Sequence, residues 1–171
     1  MAEKTLNTLF HDTLRDIYYA ERKILKSLPK MKRAAQSEKL KAAFEKHVGQ
    51  TEGQIERLER VFEIIGKTPR GKTCDAINGI LDEGDEIAEE QRAGIGAEGG
   101  QLDAGLLAAA QAVEHYEITR YGTLKRWAQV LGLDEAVKLL DETLQEESQT
   151  DEDLTSIADA SINDAALKDA A

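Results

Sequence analysis

Four long segments of this chain carry apolar residues at the spacing of one helix face, and every face is interrupted by polar residues of types that bind metals. In the first segment, for example, Ile17 and Ile24 flank Glu21. The interrupting residues are Glu21 in the first face, His47, Gln50, Thr51 and Gln54 in the second, Glu117 in the third, and Glu147 in the fourth. The pattern predicts a helical bundle with a polar layer inside its core.

An ionised carboxylate costs several kcal/mol, roughly, when it is buried without a partner. A bound cation removes that cost, and so does a proton. The polar layer therefore indicates a metal site, with one alternative: an interior salt-bridge network in which Arg57 or Arg120 pairs with the acids.

Composition supports an all-α domain. The 171 residues are enough for one buried domain, only two are proline, and 32% are charged, which suits amphipathic helices. A formal net charge of −11 disfavours nucleic acid and anionic membranes as partners and favours cations. The acidic surface is also a candidate docking face for a basic protein.

Cys74 is the only cysteine in the chain. An internal disulfide framework and a cysteine-based zinc site within one chain are therefore excluded. The first ten residues contain no long apolar region, and no run of about 20 apolar residues occurs anywhere. We expect a soluble cytoplasmic protein without a membrane span.

The apolar period predicts two antiparallel helices in the first part of the chain. The first helix covers about Leu6 to Ala35 and should be kinked or loosened by Pro29. The second covers about Glu38 to Ile65, with Ser37 as its N-cap and Gly66 at its end. The short connection predicts a hairpin.

The second part of the chain predicts another hairpin. Its helices cover about Asp103 to Leu131 and about Glu135 to Ala158, with Gly132 between them. Lys67 to Gln101 is rich in glycine and predicts a long crossover that contains one short helix, about Cys74 to Gln91. Hairpin, crossover and hairpin is the connectivity of ferritin-like four-helix bundles.

We expect this bundle to occupy residues 1–159 and a C-terminal tail to occupy residues 160–171. Only Ile162 and Leu167 could anchor the tail, which is rich in Ala and Asp. It is expected to be weakly ordered or docked.

The candidate ligands come from all four long helices. Glu114 and Glu117 are three residues apart and point toward one side of the third helix, while Glu21 and Glu147 lie near mid-height on theirs. Four carboxylates favour iron or manganese over zinc or copper, and a dinuclear site would leave positions for dioxygen or peroxide.

The second and fourth helices lack the Glu-x-x-His motif that is typical of di-iron bundles. His47, one turn before Gln50, is a candidate ligand in its place. The alternative is that His47 is a buried histidine bonded to Glu21 or to a backbone carbonyl. Asp151, one turn after Glu147, is a further candidate.

Several short motifs resemble the YciF-like family of ferritin-like proteins over nearly the whole chain up to about Ala158. They are Tyr19-Ala20-Glu21, Thr51 with Gln54-x-x-Arg57-Leu58, Lys72-Thr73-Cys74, Val113-Glu114-His115-Tyr116-Glu117 with Tyr121-Gly122-Thr123-Leu124, and Leu144-x-Glu146-Glu147.

The resemblance implies a bacterial cytoplasmic stress protein, built as a homodimer of helical bundles with a rubrerythrin-like pair of metal positions and no established reaction. The implied metal positions are Glu21, Glu114, Glu117, Glu147 and a group near Gln50. Members of the family often have an acid where this chain has Gln50, so one ligand charge is missing here.

Two functions follow as hypotheses. In the first, iron or manganese held by the glutamates reacts with peroxide or oxygen. In the second, the bundle is a structural or interaction module with a degenerate, metal-free site, and its acids hold protons or pair with arginines.

Overall fold

The computed structural model describes residues 5–94 and 99–169, and within them all regular structure is helical. The helices are α1 (Leu6–Ala34), α2 (Glu38–Ile64), α3 (Asp75–Arg92), α4 (Gly99–Val130), α5 (Asp134–Ile157) and α6 (Asn163–Asp169). A π-helical turn, Ala158–Ile162, joins α5 to α6. The predicted all-α class is confirmed.

Four long helices form the bundle. Helix α1 packs against α2 and α4, and α5 packs against the same two helices, so that one apolar core lies among all four. Helix α3 covers α1 and α4 from outside. The predicted helical bundle is confirmed, and its core includes Phe10, Leu14, Phe62 and Leu124.

Capping groups set the helix ends near the predicted positions. The Ser37 hydroxyl accepts a hydrogen bond from the Leu40 N–H, which confirms the predicted N-cap of α2. Gly66 and Gly132 have φ of 66° and 70°, the left-handed conformation in which glycine ends a helix without steric cost. Pro29 lies inside α1, which continues to Ala34.

Helix α4 begins at Gly99, four residues before the predicted start at Asp103. The physical reason is tertiary packing: Gly100 lies so close to α6 that a Cβ placed there would be 2.4 Å from the Ala166 nitrogen. Gly100, one of the glycines that were read as loop signals, permits this close approach. Residues 95–98 of the predicted crossover lie outside the described residues.

Asp103 fixes the turn between α1 and α2. Its two carboxylate oxygens accept hydrogen bonds from the Gln36 and Ser37 N–H groups, each at 2.7 Å, although Asp103 belongs to α4. The side chain is buried. This tertiary cap ties the first hairpin to the second.

The segment after α5 is helical and packs on α4. Ile162 is buried, whereas Leu167 is 74% exposed. Residues 170–171 of the predicted tail lie outside the described residues. Among the described residues, none of the helices combines the length and apolar character needed to cross a lipid bilayer.

Candidate metal centre

Four predicted ligands meet in the middle of the bundle. One ligand-type atom from each of His47, Glu114, Glu117 and Glu147 lies within 4.8 Å of the others, and all four residues are buried. They come from α2, α4 and α5. Because Glu114 and Glu117 are one helical turn apart, both reach the same interior space.

Glu21 extends this cluster from α1. It is fully buried and lies close enough to Glu117 and Glu147 for these carboxyl groups to influence its pKa. The Tyr121 hydroxyl donates a hydrogen bond to Glu21 Oε1. We call the five groups Glu21, His47, Glu114, Glu117 and Glu147 the carboxylate cluster.

Much of the hydrogen-bonding capacity of the carboxylate cluster is unused. Buried polar groups in proteins are nearly always paired, so a concentration of unpaired atoms at one place points to an external ligand. The buried cluster atoms without a hydrogen-bond partner are Glu21 Oε2, both ring nitrogens of His47, Glu114 Oε2, and both oxygens of Glu117 and of Glu147.

Burial raises the pKa of every carboxyl in the cluster. The pKa of Glu114 rises to about 8, and those of Glu21, Glu117 and Glu147 lie well above the ordinary carboxyl value. Repulsion between neighbouring carboxylates adds to this effect. Without a cation, burial and mutual repulsion therefore favour the protonated form of these acids.

His47 is held neutral. Burial lowers its pKa to about 4, although the adjacent Gln50 side chain favours the protonated ring. Its Nε2 lies 3.3 Å from Glu114 Oε1, without the alignment of a hydrogen bond. A neutral imidazole with a free ring nitrogen is the form that ligates metals.

The arginines considered as partners of the acids lie elsewhere. Arg57 donates to Glu142, Glu146 and Thr143, and the Arg120 guanidinium stacks 5.2 Å from the Tyr116 ring centroid. Within the described residues, neither forms an ion pair with a carboxylate of the cluster. The positive charge of Arg57 lowers the pKa of Glu21 and Glu147 only as a minor effect against burial.

The two remaining candidates have different surroundings. Gln50 is half-buried beside His47, and its Oε1 is buried without a partner. Asp151 accepts a hydrogen bond from Gln111 at 3.0 Å and lies 3.2 Å from His115 Nε2. Asp151 is thus engaged at the edge of the bundle and is not among the four clustered ligands.

Two further polar groups lie beside the cluster and are outside the predicted ligand set. Tyr121 occupies an apolar position of its helix face, and its hydroxyl donates a hydrogen bond to Glu21. Gln54 is fully buried, donates to Glu146 at 3.1 Å and leaves its Oε1 unpaired. The sequence signal was present in both cases, since each lies at helical spacing from a predicted ligand.

The donor set fits a hard or borderline divalent cation. Four ionised glutamates would carry a formal charge of −4, which two divalent cations balance, and the single imidazole suits iron or manganese. These five side chains would hold such ions, and the fit rests on their unpaired buried atoms.

Fold and cluster together define a class: all-helical bundle proteins with a buried carboxylate and histidine cluster. The chain belongs to the family described as "Domain of unknown function (DUF892)", whose model matches residues 5–167.

It is similar to Protein YciF of Escherichia coli (strain K12), with 44% identity over 160 residues, covering 92% of this chain and 93% of that protein. The crystal structure of the E. coli stress protein YciF matches with a TM-score of 0.87 at 41% identity, over 94% of this chain and 99% of the other. The predicted resemblance to YciF is confirmed.

YcfI from Rhodopseudomonas palustris, described as a candidate structural protein, has a TM-score of 0.83 at 45% identity and covers 89% of this chain and 94% of its own. Protein XCC3681 from Xanthomonas campestris shares the fold alone, with a TM-score of 0.70 at 20% identity, over 91% and 92% of the two chains.

Proposed function

We propose that this chain is a ferritin-like stress-response protein that holds a dinuclear iron or manganese site in its core. The observation that carries the proposal is the set of buried cluster atoms without hydrogen-bond partners. A core that only needed to be packed would contain leucines at these positions. The similarity to the stress protein YciF supports the stress role.

The carboxylate cluster provides the ligands, and the apolar shell excludes bulk water. When bound, a pair of ferrous or manganous ions supplies one electron each, which with two protons reduces dioxygen to hydrogen peroxide or hydrogen peroxide to two waters. Tyr121 orients Glu21 through its hydrogen bond. Neutral His47 keeps a nitrogen available without adding charge.

The proposal extends to the setting of the protein. We place it in the cytoplasm as a homodimer, with residues 1–159 as the ferritin-like bundle and residues 160–171 as a docked tail. The low cysteine content and the similarity to YciF support this assignment. Gln50 and Asp151 are proposed as outer ligands that complete the site only when ions are bound.

The deciding experiment is elemental analysis of protein purified without chelator. The test variant is Glu117→Gln/Glu147→Gln, which keeps the side-chain shapes and removes two ligand charges. The matched control is Glu63→Gln/Glu142→Gln, which removes two exposed charges outside the cluster. We expect about two iron or manganese ions per chain in the wild type and control, and loss of both in the test variant.

A second candidate is a structural module that uses the cluster as protonated acids. The raised carboxyl pKa values and the similarity to YcfI favour it. Absence of bound metal in the wild type, even after anaerobic loading with ferrous or manganous ion, would select this alternative and reject the metal site.

A further inference from the structure

An apolar cavity lies directly beside the carboxylate cluster. It has a volume of about 20 Å³, and His47 and Glu114 form part of its wall. Ser27 and Thr150 are the other polar residues of the wall, and the rest of the wall is apolar. Its main apolar contributors are Ile24, Leu28, Met31, Phe44, Val113 and Leu154.

A surface groove between α2 and α5 leads toward this cavity. The groove has a volume of about 400 Å³ and is lined by Lys46, Gln50 and Asp153, among others. Ala43 and Thr150 line both the groove and the cavity. The two spaces are therefore neighbours that meet at these small side chains.

We propose that the cavity is a binding site for a small apolar gas molecule, dioxygen, which enters from the α2–α5 groove past Ala43 and Thr150. Its chemical consequence rests on the proposed function, because bound dioxygen would lie against the His47 and Glu114 side of the metal centre. The cavity itself exists in the metal-free protein.

Size and polarity select the ligand. A volume of this size holds one small molecule, and empty cavities with apolar walls bind gases such as xenon rather than water. Hydrogen peroxide has two O–H donors. The unpaired acceptors of the wall belong to His47 and Glu114, which lie together on one side, so a donor that faces Ile24, Phe44 or Val113 would be unpaired at a cost. Dioxygen has no such donors. Thr150 offers none either, because its hydroxyl donates to the Glu146 carbonyl oxygen.

The test uses methyl NMR of the metal-free protein under dioxygen pressure. Dioxygen is paramagnetic and speeds the relaxation of methyl protons near its binding site. We expect at least about threefold greater enhancement for Ile24 and Val113 than for Leu140, which is equally buried but does not line the cavity. Diamagnetic xenon should reverse the enhancement by competition.

A matched pair of variants locates the site. Ala110→Val adds two methyl groups into the cavity, whereas Ala109→Val adds the same groups on the neighbouring position, which faces Gly84 of α3. We expect Ala110→Val to lose the enhancement and Ala109→Val to keep it. The wild-type competition with xenon decides the question if Ala110→Val does not fold.

Equal enhancement at Leu140 and Val113, or enhancement that xenon does not reverse, would overturn the proposal. These measurements need no metal. If the wild type binds dioxygen but retains no iron or manganese, the cavity assignment stands and the metal function is rejected. If it retains metal but binds no dioxygen in the cavity, the metal function stands and the cavity assignment is rejected.

Discussion

Tyr121 on α4 donates a hydrogen bond to Glu21 Oε1 on α1, while Glu21 Oε2 has no hydrogen-bond partner. The protein thus holds one oxygen of the carboxyl, and the other oxygen remains available to a ligand in the cluster. This is the arrangement in which an outer group orients a metal ligand. Burial and the nearby carboxylates raise the pKa of Tyr121, which keeps it a hydrogen-bond donor.

We therefore expect Tyr121→Phe to weaken metal binding by about tenfold, because loss of an orienting group costs 10- to 100-fold in affinity. The measurement is calorimetric titration with ferrous or manganous ion under anaerobic conditions. Tyr18→Phe is the matched control, since Tyr18 donates a 2.8 Å hydrogen bond to Glu59 away from the cluster. Equal affinities for the two variants would contradict an orienting role.

A second prediction concerns the tertiary cap at the α1–α2 turn. Asp103→Asn should lower the free energy of unfolding by about 1.5–3 kcal/mol, because two hydrogen bonds from backbone N–H groups to a charged acceptor are weakened. Urea unfolding measures the change. Glu45→Gln, which removes an exposed partner of Lys32, is expected to change stability by less than about 0.5 kcal/mol.

A third prediction follows from the raised carboxyl pKa values. A carboxyl whose pKa is higher in the folded than in the unfolded protein stabilises the fold at low pH, and this stability is lost as pH rises through the folded pKa. Glu114, with a pKa of about 8, should therefore destabilise the metal-free protein progressively as pH rises from about 6.5 to 9.

The lower limit of that window comes from His47. Its pKa is lowered from 6.5 to about 4, so it opposes the acids below pH 6.5 and is neutral in both states above it. The expected slope is about 1.4 kcal/mol per pH unit for each carboxyl protonated only in the folded state.

Urea unfolding of chelator-treated protein at several pH values tests this expectation. Glu114→Gln should flatten the slope, and Glu63→Gln, which is exposed, should not. A stability that rises between pH 6.5 and 9 in the metal-free wild type would show that the acids are ionised in the fold.

Local patterns explain why the helices could be predicted from the sequence. Apolar periodicity and the end signals at Ser37, Gly66 and Gly132 depend on neighbours in sequence. The helix ends that they mark were therefore predicted to within about a residue. The early start of α4 could not be predicted, because it depends on contact between Gly100 and α6. The cap by Asp103 is likewise a contact between residues distant in sequence.

Part of the candidate site could be predicted from the sequence for the same reason. Spacing indicated that Glu21, Glu117 and Glu147 face inward, and all three are fully buried. Spacing could not separate His47 from Gln50, since both lie on one face of α2. The engagement of Asp151 by Gln111 depends on how α4 and α5 pack side by side.

A fourth prediction concerns the missing charge on α2. Gln50→Glu places a carboxylate beside His47, where the amide oxygen is buried without a partner. We expect about tenfold tighter metal binding, equivalent to about 1.4 kcal/mol, and lower stability of the metal-free protein. Gln129→Glu, an exposed position on α4, is the control for the added charge. Unchanged affinity would exclude Gln50 from the site.

The last prediction concerns the docking of α6. In Gly100→Ala the new Cβ would lie 2.4 Å from the Ala166 nitrogen and 2.5 Å from the Ala165 carbonyl carbon. Backbone atoms cannot move aside as a flexible side chain can, so α6 must separate from α4. Hydrogen exchange should show loss of protection in residues 163–169.

Gly122→Ala is the matched control on the same helix, because no atom lies within 4 Å of the Cβ that it would add. There alanine should raise the unfolding free energy by about 0.5–1 kcal/mol through its higher helix propensity. If α6 kept its protection in Gly100→Ala, the close approach of α4 and α6 would not be what holds the C-terminal segment on the bundle.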